Sequence, residues 1–431
     1  MKSMKLSSLI LLFCLAFNFT VQAQVEDEKK EEKPLKFKPL KFNLTEDGSQ
    51  WVRFILWNQL QMNTNNLEGD ADLNISPNLR RSRLLVMSQL NKKVFTYIHL
   101  GVNNVNSGTL GGTHGSEQTQ YFLHDAAIEY KFSEAFTLGG GLHYWNGMAR
   151  LGSWAGLTSL TYDIPNPLIF IPGVNRTDQF ARHMGIYAKG KINKFEYRIA
   201  VNDPSLTANT ETPVNVSENN AVYNAWKFHE GGRAIVAGNL KYNFIGSEGN
   251  LLPYVVGTYL GKKETLSASI GFFSHANGAM TLISDGNPIL AADDNATIAS
   301  KTETTGVFNY SLDVNYDAPI GSNGGAITAY AAYLNYDYGV NGGTLGGATG
   351  SAIYGQLGYL IPKSKLQPYV AYQDRSWDNS TGTQGAGSTL NVGANYYISG
   401  HNLKLTLEYK KNSFDVGNDN SVLGLQAHIF F

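Results

Sequence analysis

The stretch SVLGLQAHIFF, residues 421–431, ends the chain and decides how the rest of the sequence is interpreted. Its apolar residues recur at every second position: Leu423, Leu425, Ala427, Ile429 and Phe431. Spacing by two places these side chains on one face of a β-strand, with Gly424, Gln426 and His428 on the other. Chain ends are usually frayed and polar. A half-apolar strand that runs to the last residue therefore predicts pairing partners along both of its edges.

The first 50 residues predict an exported chain. Residues 1–23 have the charged start, the apolar stretch and the small-residue cleavage site of a secretory signal peptide. Cys14, the only cysteine, lies in that stretch, so the predicted mature chain has no thiol for a disulfide, a nucleophile or a metal. Residues 24–50 mix both charge signs with two prolines and predict a flexible periplasmic segment. A barrel domain is predicted for 51–431.

Composition excludes some classes of protein. Removing Lys2 and Lys5 with the signal peptide takes the formal net charge from −1 to −3, which argues against nucleic-acid binding. The chain has 45 Gly, 24 Tyr and 21 Phe, and only 16% of it is charged. No later segment has the roughly 18 uninterrupted apolar residues of a membrane helix, so a membrane crossing would require strands.

From Trp51 onward the chain alternates apolar and polar residues in segments of about ten residues, the length of a tilted membrane-spanning strand. Short and long connections alternate between these segments. One further strand-like stretch, 252–260, would raise the count to seventeen, whereas a longer periplasmic connection at 245–264 gives sixteen. Even counts are the rule for bacterial barrels. We therefore predict an all-β, transmembrane antiparallel β-barrel of 16 strands, with short periplasmic turns and long extracellular loops, whose last strand pairs with its first.

Three stretches carry a family resemblance: LNKKVFTYIHLGVNN (90–104), AGNLKYNF (237–244) and GTYLGKKETLSASIGFF (257–273). They resemble the phosphate-selective porin family of Gram-negative outer membranes. The resemblance implies a trimeric, sixteen-stranded porin that carries small anions past arginines at a narrow waist. It does not assign that role to particular positions of this sequence.

Alternation along the strands predicts which side chains face the lumen, because a lipid-facing arginine at mid-bilayer costs about 2–4 kcal/mol. The predicted pore-lining residues are Arg53, Gln59, Gln61, Arg81, Arg83, Glu129, Lys131, Glu196, Arg198, Arg233, Lys241, Arg375, Lys404, Glu408 and Lys410. One interpretation is a cationic path for anions. The other is a wet lumen in which mixed charges pair across strands, since acids accompany the bases on three strands.

The third long loop, 146–178, is long and unusually apolar, and such a loop must pack on something. If it folds into the barrel, Arg150, Asp163 and Arg176 are candidate constriction residues. The alternative is a loop that covers a neighbouring subunit or caps the rim.

No catalytic site, cofactor or metal is predicted. His99, His124, His143 and His183 lie on different strands, without nucleophile-elbow or metal-ligand spacing. The predicted function is an outer-membrane porin for passive diffusion of small hydrophilic solutes, with a modest preference for anions such as phosphate. The alternatives are a secretion accessory or surface-binding barrel and an outer-membrane hydrolase. The predicted partners are outer-membrane lipid and lipopolysaccharide, a homotrimer, and the insertion machinery that reads the strand ending at Phe431.

Overall fold

Sixteen long antiparallel strands close into a barrel in the computed structural model of the chain. The structure describes residues 37–68, 73–110, 121–144, 147–164, 182–203, 234–284, 287–288, 301–337, 349–377 and 386–431. The predicted signal peptide and the first part of the predicted flexible segment lie outside these residues. The boundaries at 23 and 50 therefore stay predictions.

Strands are numbered in chain order, and two of the eighteen are short. The short strands are β1 (Leu40–Asn43) and β11 (Asn287–Pro288). The long strands are β2 (Trp51–Thr64), β3 (Ile75–Gln89), β4 (Val94–Val105), β5 (Phe122–Ser133), β6 (Phe136–His143), β7 (His183–Ile192), β8 (Phe195–Asn202), β9 (Ile235–Ile245), β10 (Thr265–Ser284), β12 (Lys301–Ile320), β13 (Gly325–Tyr336), β14 (Gly350–Leu360), β15 (Leu366–Trp377), β16 (Gly387–Ser399), β17 (Leu403–Phe414) and β18 (Asn420–Phe430).

Helical structure in the described residues consists of one turn, α1 (Ser107–Leu110), and two 3-10 turns, Arg150–Ser153 and Gly156–Thr158. Among the described residues, no helix has the length and apolar character needed to cross a membrane.

Each long strand pairs antiparallel with the next, and β18 closes the ring by pairing with both β17 and β2. The last residue is held as well: the Phe431 N–H donates to the Leu56 carbonyl at 3.2 Å, and the Phe431 carbonyl accepts from the Leu56 N–H at 3.1 Å. Residues 246–264 connect β9 to β10 without forming a spanning strand. The predicted sixteen-stranded barrel and the pairing of its last strand with its first are confirmed.

Strand β1 falls within the segment predicted to be flexible. It pairs with the start of β2, from Leu40 opposite Phe54 to Asn43 opposite Trp51, on the edge that β18 covers further along. Past the point where β18 ends, β1 thus covers the rest of the β2 edge. An uncovered strand edge can pair with another chain.

Alternate side chains along the strands face the interior or the lipid. On β18 the inward Gly424, Gln426 and His428 are buried, whereas Leu60 and Met62 on the neighbouring β2 are exposed outward. Exposed aromatic rings gather near the short-turn end: Tyr130, Phe132, Phe136, Phe195, Tyr242 and Phe244. An apolar outer band bordered by aromatic rings is what a transmembrane barrel presents to lipid. The predicted outer-membrane location is confirmed by this architecture.

Candidate functional site: a cavity beside an interior plug

Two segments of the chain fill the middle of the barrel from opposite ends. One is residues 147–164 of the third long loop, and the other is the periplasmic connection 246–264; together we call them the plug. Their backbones pair directly: the Val255 N–H donates to the Ser153 carbonyl at 2.8 Å, and the Ala155 N–H donates to the Val255 carbonyl at 2.9 Å. The extracellular loop and the periplasmic connection therefore form one body inside the barrel.

Gly257 allows a close approach between the two plug segments. A Cβ at this position would lie 2.5 Å from the carbonyl oxygen of Thr158, which no side chain tolerates without backbone movement. The Gly257 N–H also donates to the Thr158 hydroxyl at 3.0 Å. Glycine is required here because the two backbones touch.

A buried ion pair joins the plug segments at a second point. The Arg150 guanidinium donates two hydrogen bonds to the Glu248 carboxylate, one of them at 2.7 Å, and a third to the Val256 carbonyl at 2.6 Å. Burial alone would raise the pKa of Glu248, but the charges of Arg150 and Lys241 outweigh it and hold this pKa well below its ordinary value. Glu248 is therefore ionised, and the pair forms a charged clasp between the two segments.

The plug packs one side of the barrel solid. Leu151 is fully buried, and Trp154 makes edge contacts with Tyr330 and Tyr354 at ring-centroid distances of 5.2 and 6.0 Å. The wall behind them is formed by β12 to β15. An apolar core therefore fills the described interior between Trp154 and these strands.

Polar wall residues hold the far end of the loop segment. Asp163 accepts hydrogen bonds from Arg80 at 2.7 Å and from Arg81 at 2.9 Å. The Lys404 ammonium donates to the Ser159 carbonyl at 2.7 Å, and the Glu408 carboxylate accepts from the Tyr162 N–H at 3.1 Å. Charged wall residues therefore anchor the loop as well as face the lumen.

Two β-bulges turn extra polar side chains into the interior. Gln59 pairs with Arg81 and Leu60 with Leu79, so Arg80 is the additional residue of β3. His124 is the additional residue of β5 in the same way, because His99 pairs with Asp125 and Leu100 with Leu123. A bulge breaks the strict alternation of a strand, and both extra residues are buried inside.

A cavity of about 380 Å³ remains between the plug and the wall formed by β2 to β5. Among the described residues that line it, four carry a charge at neutral pH, and all four are arginines: Arg53, Arg81, Arg83 and Arg182. We call it the main cavity. Gly101, opposite Arg83 on β4, has no side chain, and a Cβ there would lie 2.4 Å from the Arg83 side chain. The Arg83 side chain thus occupies the space above Gly101.

Cavities at both ends adjoin the main one. A cavity of about 320 Å³ towards the periplasm shares six lining residues with it, among them Arg53, Ile55 and Leu252, and we call this the periplasmic cavity. A polar cavity of about 410 Å³ at the loop end shares Ile164 with it, and we call this the outer cavity. Shared lining residues join the three cavities in a series, with Arg81, Arg83 and Arg182 in the middle one. The outer cavity is lined by β14 to β18 and the end of β2.

A compact polar cluster forms one wall of the main cavity. His99, His124 and Asp125 bring their ligand atoms within 4.8 Å of one another, a donor set of the kind that binds zinc. The Arg182 guanidinium fills the space between them, 3.2 Å from the Asp125 carboxylate and 2.6 Å from Nε2 of His124. It also lies 4.0 Å above the Tyr144 ring. A guanidinium in this place repels a divalent cation, so the cluster does not fit a metal.

Most of the residues predicted to line the pore are buried in the interior: Gln59, Gln61, Arg81, Arg83, Glu129, Glu196, Arg198, Lys241, Arg375, Lys404 and Glu408. Arg53 lines the main cavity and Lys410 lines the outer one. Lys131 lies at the periplasmic rim and pairs with Glu134 at 2.5 Å. Of the three predicted constriction residues, Arg150 and Asp163 belong to the plug. Arg176 and Arg233 lie outside the described residues.

Opposite charges pair across one wall of the barrel, as the second interpretation of the sequence proposes. Lys189 lies 2.6 Å from Glu129, and Lys241 lies 3.0 Å from Glu196. These residues lie on β5, β7, β8 and β9. On β2 and β3, Arg53, Arg81 and Arg83 line the main cavity, and Arg81 also pairs with Asp163 of the plug.

Arg80, Arg182, Glu248 and Tyr254 are among the interior residues that sequence reasoning missed. The inward direction of Arg80 was not predicted because the bulge breaks the alternation along β3. Glu248 and Tyr254 lie in a connection whose fold back into the barrel no periodicity indicates. The available signal was composition, since LLPYVV, residues 251–256, is too apolar for a solvent-exposed periplasmic connection.

No protein-family model and no curated protein matches the chain. Several solved outer-membrane proteins share its fold. OmpF of Salmonella typhi, solved in complex with daunomycin, is 10% identical with a TM-score of 0.54, covering 90% of this chain and 99% of that chain. The outer membrane channel DcaP of Acinetobacter baumannii is 12% identical with a TM-score of 0.50, covering 90% and 99%. OprB of Pseudomonas putida is 11% identical with a TM-score of 0.50, covering 88% and 94%. These likenesses show that the chain has the fold of an outer-membrane porin.

Proposed function

We propose that the protein is a passive outer-membrane channel that favours small anions. The observation that carries the proposal is the main cavity, in which every charged lining residue that the structure describes is an arginine. Arg81 and Arg182 also pair with Asp163 and Asp125, which reduces the contribution of these two arginines. In a narrow, partly desolvated space the remaining positive charge repels a cation and attracts an anion. The porin fold that the chain shares with its solved neighbours supports a channel, and one of these neighbours, DcaP, is an outer membrane channel.

In this proposal the plug sets the width of the route. Solute enters the outer cavity, passes the arginines and leaves through the periplasmic cavity. Arg150 and Asp163 act through the plug: Arg150 clasps its two segments together, and Asp163 fixes the loop against Arg80 and Arg81. Arg176 would complete the constriction from a part of the loop outside the described residues.

The finer parts of the proposal come from the sequence resemblance. Phosphate is the anion that the resemblance implies, and the homotrimer is the assembly that it implies. Contact with lipopolysaccharide and recognition of the strand ending at Phe431 by the insertion machinery belong to the same proposal. No enzymatic role is proposed, because the hydrogen-bond partners of His99 are Asp125 and Tyr254 rather than a serine nucleophile.

Single-channel recording in a planar bilayer tests this function. We expect a small conductance in KCl, and under a salt gradient we expect the reversal potential of a chloride-selective pore. A cation-selective or unselective pore would contradict the anion preference.

One structural observation favours a second function, a barrel that binds a partner. The plug closes one side of the described interior, as it would in a barrel that does not conduct. A stable co-purifying partner together with no conductance would favour this alternative.

A further inference from the structure

We infer that the main cavity binds amphipathic organic anions, in which a carboxylate is attached to an apolar body, in preference to small hydrophilic anions. The inference rests on the proposed function, since it names the substrate class of the proposed channel. It departs from the phosphate that the sequence resemblance implies, because phosphate has no apolar part.

The lining of the main cavity is largely apolar apart from its arginines and histidines. Its apolar residues come from β2, β3, the plug and the chain end, and include Ile55, Trp57, Leu85, Trp154, Leu252 and Phe430. A route for fully hydrated ions is lined by polar groups that replace water, as in other porins. Apolar surface instead gains free energy when it is covered by an apolar ligand.

Arg53 provides the anion contact. It lies where the main and periplasmic cavities meet, it is half-buried, and its Nε has no hydrogen-bond partner among the described residues. A guanidinium presents a planar fork of donors that matches a carboxylate. Ile55 and Leu252 line both cavities beside it, so a bound carboxylate would have apolar surface next to it.

The size of the main cavity fits such a ligand. About 380 Å³ is room for roughly a dozen waters at about 30 Å³ each. Ligand sites of this kind are concave and mostly apolar, with a few fixed polar groups. An acid with five or six carbons can therefore place its carboxylate at Arg53 and its chain along the plug.

Binding of a homologous series of acids tests the inference. Acetate, butyrate and hexanoate are titrated calorimetrically into the full-length protein in detergent. Each added methylene should strengthen binding by up to about fourfold, so hexanoate should bind at least about tenfold more tightly than acetate. Arg53→Gln should weaken hexanoate binding roughly tenfold, because a charged hydrogen bond is lost. Equal affinities for acetate and hexanoate would overturn the inference.

Lys93→Gln is the matched control, since it removes one positive charge at the exposed turn after β3. It should leave hexanoate affinity unchanged, whereas equal weakening by both variants would overturn the role of Arg53.

Conductance of the same preparation separates this inference from the proposed channel function. An anion-selective pore without preference for longer acids overturns the inference alone. Tight, Arg53-dependent hexanoate binding without conductance overturns the channel and leaves a binding site.

Discussion

Glu248→Gln is expected to raise the single-channel conductance several-fold and to make the current noisier. The substitution removes the charge that balances Arg150, and breaking a buried ion pair from one side typically costs about 3–5 kcal/mol. Lys241 loses its nearby carboxylate in the same step. Opening the connection 246–264 towards the periplasm lets water reach the Arg150 guanidinium, so the open state gains population. The measurement is the amplitude and variance of single-channel current in KCl.

Glu264→Gln is the control for this substitution. It changes the same residue type in the same connection, but Glu264 is exposed and lies just before β10. Wild-type conductance is expected for Glu264→Gln. If Glu248→Gln also conducts like the wild type, the clasp does not hold the plug closed.

The double substitution Arg53→Gln/Arg83→Gln is expected to remove most of the anion preference. Arg83 donates to the Val102 carbonyl and to the Asn103 side chain, and the hydrogen bond between Arg81 and Asp163 does not involve it, so that anchor stays intact. A unit charge roughly 7 Å from an ion changes the free energy of that ion by about 0.6 kcal/mol in water. This corresponds to a nearly threefold change in local ion concentration. The permeability ratio of chloride to potassium should therefore fall several-fold at low salt, and less at about 1 M, where screening is strong.

The matched control for that variant is Lys92→Gln/Lys93→Gln, which removes the same net charge from an exposed periplasmic turn. Its reversal potential should equal that of the wild type. A shift of equal size in both variants would mean that net charge, rather than the cavity wall, sets the selectivity.

Much of the barrel follows from the sequence because each strand repeats one simple constraint. Alternation along 421–431 correctly indicates that Gly424, Gln426 and His428 face inward, and an even strand count correctly excludes 252–260 as a strand. Lipid on one side and polar groups on the other impose the same period on every strand. Local patterns are sufficient for features that depend only on that period.

The site is less predictable because it depends on bulges that break the two-residue alternation and on contacts between residues distant in sequence. The bulge that turns Arg80 inward has no signal in the pattern of apolar residues. Arg150 and Glu248 are 98 residues apart and meet only because two connections from opposite ends enter the same lumen. Composition marks both segments as apolar, but it does not indicate that they contact each other.

The central claim is that solute passes between the plug and the β2–β5 wall, and thiol modification of an open channel tests it most directly. Once the predicted signal peptide is removed the chain has no cysteine, so Ile55→Cys places a single thiol where the main and periplasmic cavities meet. We predict that a sulfonate-bearing methanethiosulfonate reagent lowers the current of Ile55→Cys and leaves that of Ala371→Cys, buried in the core behind the plug, unchanged. Loss of current in Ala371→Cys, with no loss of current in Ile55→Cys, would contradict this route.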